Sequence, residues 1–133
     1  MQPTSRTVLI VDDDATLRRA LQSVLVPLGY RVLATGEPDA AYALVGSERV
    51  DAALVDIRLP SMSGLSLSIA LVYRRPALEG CIAFISGDAD AADVRPWLEY
   101  HHCTVFRKPF RPQQLIDWLE TALRAGERKT ASR

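Results

Sequence analysis

Two cysteines among 133 residues, Cys81 and Cys103, are too few for a secreted disulfide framework and too isolated for a zinc site. Long apolar runs are missing as well. None approaches the ~20 residues a bilayer core requires, which excludes a transmembrane helix. The opening Met1-Gln2-Pro3-Thr4-Ser5-Arg6 leads into only five apolar-type residues before an acidic triplet, so it does not read as a signal peptide. Net charge is absent too, with 16 basic residues against 16 acidic ones. A domain devoted to nucleic acid usually carries a basic excess, and a disordered chain combines high net charge with low hydrophobicity. At 48% hydrophobic and 24% charged, this chain fits neither description. The expectation is one cytoplasmic domain with no direct nucleic-acid or membrane contact, long enough to bury a core without staples.

What is present is a repeating alternation. Short apolar runs occur at Thr7–Val11, Tyr30–Ala34, Val50–Val55, Cys81–Ile85 and Cys103–Phe106. Each has strand length, and the first and fourth are nearly all apolar, as parallel strands covered on both faces require. Helical patterns fall between them. Leu17, Ala20, Leu21, Val24, Leu25 and Leu28 recur at helical spacing, with Asp14 as a candidate N-cap and Gly29 as a C-terminal stop. Pro38 opens a second helix over Ala40, Ala41, Ala43 and Leu44. Ser63 caps a third, with Leu65, Ile69 and Val72 on one face, and Pro112 opens a last helix through Leu115, Ile116, Leu119, Ala122 and Leu123. The stretch Asp90–His102 contains Pro96, which leaves two readings, a short or broken helix or a regular one that ends before Pro96. Five strands alternating with five helices imply an α/β domain with a parallel sheet. The domain is expected over residues 6–124, with flexible termini at 1–5 and 125–133.

In an open parallel sheet, ligands bind beyond the carboxyl ends of the strands. The first strand runs into Asp12-Asp13-Asp14, the third into Asp56, the fourth into Ser86 and the fifth into Lys108-Pro109. Clustered carboxylates repel one another unless a cation joins them. A hard divalent ion such as Mg²⁺ takes oxygen ligands, and a carboxylate beside it can form an aspartyl phosphate. A hydroxyl and an ammonium then suit the added phosphoryl oxygens.

The chain resembles a response-regulator receiver domain of two-component phosphorelays. The resemblance rests on Val8-Leu9-Ile10-Val11-Asp12-Asp13-Asp14, Asp56-Ile57-Arg58-Leu59-Pro60 with Gly64, Ile85-Ser86-Gly87 and Lys108-Pro109-Phe110. It implies a flavodoxin-like three-layer α/β/α sandwich with strand order 2-1-3-4-5. It implies Asp56 as phosphoacceptor, and Mg²⁺ held by Asp12, Asp13, Asp56 and the Arg58 carbonyl. Ser86 and Lys108 would meet the phosphoryl group, with a possible cis bond at Pro109. The donor would be a sensor histidine kinase or a histidine phosphotransfer protein. The switched surface would be the fourth helix, fifth strand and fifth helix, read by a downstream output protein or domain. Such a module is not a metabolic enzyme, and its own activity would be slow self-dephosphorylation.

Two rival readings use the same residues. One is a pseudo-receiver that only binds partners. The other is a haloacid-dehalogenase-like phosphatase with Asp12 as nucleophile and Asp14 as general acid. Against the latter, no acidic pair follows Lys108 and there is no room for a cap domain. The sequence also departs from the family it resembles. Val105 stands where an aromatic is common, Pro96 interrupts the fourth helix, Arg111 replaces a frequent acidic cap, and His101-His102 replace Gly-Ala before the last strand. These departures predict transmission through the fourth helix and its loop. Arg58 and Asp88 are expected to rim the site as an ion pair. His101 and His102 read as surface residues. Cys81, Cys103, Trp97 and Trp118 read as packing, and the equal spacing of the cysteines to Ser86 and Lys108 allows them to sit side by side.

Overall fold

The computed structural model describes residues 5–87 and 94–131, with 126–131 as backbone only. The element order is β1 (Thr7–Val11), α1 (Ala15–Leu25), β2 (Arg31–Thr35), α2 (Pro38–Ser47), β3 (Ala52–Asp56), α3 (Gly64–Arg74), β4 (Ile82–Ser86), α4 (Arg95–Tyr100), β5 (Thr104–Arg107) and α5 (Pro112–Ala131). All strand pairs are parallel, in the order β2-β1-β3-β4-β5. This is the expected α/β sandwich. β1 and β3 are buried at every position, which explains why Val8–Val11 and Ala52–Val55 are apolar throughout. No helix among the described residues is long and apolar enough to cross a membrane.

Side-chain alternation along the strands splits the core into two layers. Leu9, Val11, Ala53, Val55 and Phe84 pack with α2, α3 and α4 residues such as Ala41, Leu67 and Leu98. Val8, Ile10, Leu54, Ala83, Ile85 and Phe106 pack with Leu21 and Leu25 of α1 and Leu115 and Leu119 of α5. Phe106 also faces the rings of Phe110 and Trp118, at centroid distances of 5.5 and 6.2 Å. It therefore lies on the α5 side of the sheet and does not replace the aromatic missing at Val105, which packs on the α4 side.

Local signals set the helix starts. The Asp14 side chain accepts hydrogen bonds from the Thr16 and Leu17 amides, and Ser63 caps α3 through the Leu65 amide. Pro38 and Pro112 open α2 and α5 as expected. α1 ends earlier than its apolar repeat. Pro27 turns Val26–Leu28 into a single 3-10 turn, closed by Gly29 at φ 99°. α4 is short, with Pro96 in its first turn; the expected helix positions before Val94 lie outside the described residues.

Two expectations need correction. The α3 face on the sheet is Gly64, Leu67, Ser68 and Leu71, and Ile69 is 59% exposed. α3 is apolar around most of its circumference, so spacing alone did not select the face. Cys81 and Cys103 are free and lie on opposite sides of the sheet. Ala83 pairs with Thr104, so the strands are offset by one residue from the equal spacing that suggested adjacency. α5 runs past residue 124 to Ala131, since extending an existing helix is cheap.

Candidate functional site at the carboxyl edge of the sheet

β1, β3, β4 and the residue after β5 bring Asp12, Asp56, Ser86 and Lys108 to one edge. Asp12 continues the β1–β2 ladder by donating its amide to the Thr35 carbonyl at 3.0 Å. Its side chain is fully buried. Oδ1 accepts the Asp14 amide at 2.8 Å. Oδ2 pairs with the Lys108 ammonium at 3.0 Å. Asp13 is exposed, and one carboxylate oxygen each of Asp12, Asp13 and Asp56 lies within 4.8 Å of the others.

Asp56 ends β3 and is 5% exposed. Its Oδ1 accepts the Arg58 amide at 2.9 Å, and its Oδ2 faces Lys108 Nζ at 3.3 Å. Burial lifts its carboxyl above the ordinary value; the Arg58 amide lowers it, Asp12 raises it and Lys108 lowers it. The Lys108 ammonium is also raised. Burial alone would lower it, but the hydrogen bond and charge of Asp12, then those of Asp56, outweigh burial. Ser86 is fully buried at the end of β4, and its carbonyl accepts the Lys108 amide at 2.9 Å. The Lys108–Pro109 bond is cis, as the resemblance implied.

The turn after β3 is held by a close approach. Gly64 donates its amide to the Ile57 carbonyl at 2.8 Å. A Cβ there would sit 2.0 Å from the Asp56 carbonyl oxygen. An isolated antiparallel bridge joins Arg58 to Ser63 in the same turn. Arg58 itself is exposed, and the expected pair with Asp88 lies outside the described residues. Asp14 serves as the α1 helix cap through its Oδ1, the structural role its sequence position suggested.

A scan of family models matches the response regulator receiver domain over residues 8–120. The chain belongs to the response regulator receiver family. Among curated relatives, the transcriptional regulatory protein AruR of Pseudomonas aeruginosa is 34% identical over 130 residues, covering 94% of this chain and 52% of AruR. The DNA-binding response regulator MtrA of Mycobacterium bovis is 30% identical, covering 98% of this chain and 56% of MtrA. The chain thus spans about half the length of the curated relatives it matches. Among solved structures, a CheY-like receiver domain protein of Methanospirillum hungatei superposes with a TM-score of 0.85 at 24% identity, over 95% of this chain and 99% of that one. The receiver is a signalling module.

Its acidic site fits a hard divalent cation. Three carboxylates converge, and the single Lys108 ammonium pairs with only two of them, an excess of negative charge that a cation would relieve. All the donors are oxygens, the set Mg²⁺ prefers. The repulsion has a measurable consequence without any cation. A carboxyl whose folded pKa is raised loses stability as pH climbs from its unfolded value through its folded one. Asp56→Asn removes that loss. In EDTA the variant should unfold at a higher urea concentration than wild type near neutral pH, with the gap closing below about pH 4. An equal gap at both pH values would contradict this origin.

Sequence reasoning missed two residues at this edge. Arg18, in the first turn of α1, donates Nη1–H to the Asp12 carbonyl at 2.7 Å. Gly36, after β2, lies against both Arg18 and Asp13. Neither belongs to an apolar repeat or to an acidic motif, so only the folded backbone shows them.

Proposed function

We propose that this receiver accepts a phosphoryl group on Asp56 from a phosphohistidine on a sensor kinase or a phosphotransfer protein. The observation that carries the reading is the convergence of Asp56, Asp12 and Lys108, with Ser86 at the next strand end. Asp12, Asp13, Asp56 and the Arg58 carbonyl would hold Mg²⁺, which supplies charge neutralisation for the incoming oxygens. Asp56 offers Oδ2 as the nucleophile: an O–P bond forms, the P–N bond to imidazole breaks, and the imidazole keeps the electron pair and takes up a proton. The Arg58 amide holds Asp56 Oδ1, so the carboxylate is pre-oriented rather than rotating freely. Lys108 supplies a point charge to a phosphoryl oxygen, and the Ser86 hydroxyl donates to another. Water would later release phosphate slowly and regenerate the aspartate.

The output reading follows from the packing on α4. Val105 leaves no ring at its position. α4 instead carries Trp97, which meets Phe84 edge-on at 6.1 Å and stacks on His101 at 4.2 Å. A signal from Ser86 at the end of β4 would reach α4 through Phe84 of the same strand. The test is the beryllofluoride adduct, a phosphoryl mimic, followed by amide NMR. The expected shifts run from Ser86 and Gly87 into Trp97–His101, and Ser86→Ala confines them to Asp56 and its immediate neighbours. Identical spectra with and without the mimic between Gly87 and Lys108 would reject this route.

A further inference from the structure

The three carboxylates of the acidic site are not held alike. Asp12 is anchored by the Asp14 amide and Lys108, and Asp56 by the Arg58 amide and Lys108. Among the described residues no hydrogen bond or ion pair holds the Asp13 carboxylate. Yet it lies within the 4.8 Å cluster. Its placement therefore depends on its backbone.

That backbone is fixed from two sides. The Asp12 amide is tied to the Thr35 carbonyl at 3.0 Å, and the Asp12 carbonyl receives Arg18 Nη1 at 2.7 Å. The peptide between Asp12 and Asp13 is planar, so orienting its oxygen also orients its nitrogen and the Asp13 Cα. A hydrogen bond from a charged donor is stronger than one between neutral groups. Arg18 is half-buried, and its guanidinium passes over Gly36. A Cβ on Gly36 would stand 3.0 Å from Arg18 Nη1 and 3.1 Å from the Asp13 Cα. The missing side chain is what leaves room for this contact.

We infer that Arg18 is a positioning residue for the cation site. Its hydrogen bond to the Asp12 carbonyl directs the Asp13 carboxylate toward Asp12 and Asp56, and Gly36 provides the space. This inference rests on the reading of the three aspartates as a divalent-cation site. It also runs against simple electrostatics. A cationic side chain close to a cation site weakens binding of the ion, so removing the charge alone would tighten it. Loss of positioning weakens it, and residues that orient metal ligands typically contribute 10- to 100-fold to metal affinity. The two roles thus predict opposite signs.

The experiment is a Mg²⁺ titration of the whole chain, read from the Asp13 and Asp14 amide NMR shifts, on wild type, Arg18→Met, Arg18→Lys and Gly36→Ala. Arg18→Met should weaken Mg²⁺ about tenfold and move the Asp13 amide resonance before any Mg²⁺ is added. Arg18→Lys keeps a donor and should recover part of the affinity. Gly36→Ala, with every charge intact, should also weaken binding, and it serves if Arg18→Met does not fold. Wild-type affinity or tighter binding in Arg18→Met, with wild type binding normally, would overturn the positioning role alone. Absence of Mg²⁺ binding in wild type would overturn the cation site and this inference with it.

Discussion

Lys108→Met should slow phosphoryl acceptance by about a hundredfold or more, the scale expected when a preorganised charge facing the developing transition state is removed. The ammonium reaches Asp12 Oδ2 at 3.0 Å and Asp56 Oδ2 at 3.3 Å. It therefore stands beside the oxygen that would attack and marks where the phosphoryl oxygens would arrive. Methionine preserves much of the side-chain volume and removes only the charge and its donors. Without the ammonium the two carboxylates face each other unscreened. Asp56 should then be pushed further above its ordinary range, and the metal-free protein should lose more stability than wild type as pH rises. The rate is measured with a small-molecule phosphodonor at saturating Mg²⁺, and the stability by urea unfolding in EDTA. A variant phosphorylated at the wild-type rate would remove Lys108 from the chemistry.

Gly64→Ala should be nearly as damaging, by a different route. The added methyl would lie 2.0 Å from the Asp56 carbonyl oxygen, 2.8 Å from its carbon and 2.9 Å from the Ile57 Cα. All three are backbone atoms at the end of a central strand, so no side-chain rotation relieves the clash. The start of α3 must move away, or the end of β3 must shift. Overpacking of this kind costs roughly 1–3 kcal/mol. A displacement of the nucleophile by about 1 Å can cost a factor of about a hundred in rate. The expected result is a lower urea midpoint together with slowed phosphorylation at saturating Mg²⁺. Alanine at 64 with wild-type stability and rate would show that the close approach is not required.

The sequence carried the architecture because each layer leaves its own mark. Strands buried on both faces, such as β1 and β3, have no polar alternation to confuse with a helix. Asp14, Ser63, Pro38 and Pro112 mark helix starts through local chemistry that needs no tertiary context. The four strand ends were legible for the same reason: a charged or hydroxyl residue directly after an apolar run stands out. Other features depended on geometry that residue types do not encode. Ile69 was placed on the wrong face because α3 offers apolar residues all round. Both cysteines pack in the core as their type suggests, but equal spacing to Ser86 and Lys108 does not make them neighbours, because Ser86 pairs with Arg107. Arg18 was invisible because its partner is a main-chain carbonyl, which has no letter in the sequence.

The central claim is that Asp56 is the phosphoacceptor of a Mg²⁺-dependent receiver. Intact-mass spectrometry after incubation with acetyl phosphate tests it most directly, on wild type, Asp56→Asn and Asp12→Asn, with Mg²⁺ and with EDTA. The account predicts a single phosphoryl adduct on wild type that requires Mg²⁺ and is absent from Asp56→Asn. An adduct that persists in Asp56→Asn but vanishes in Asp12→Asn would contradict it and move the nucleophile to β1. No adduct on wild type, from acetyl phosphate or from a phosphohistidine donor, would contradict it in favour of a domain that acts only by binding.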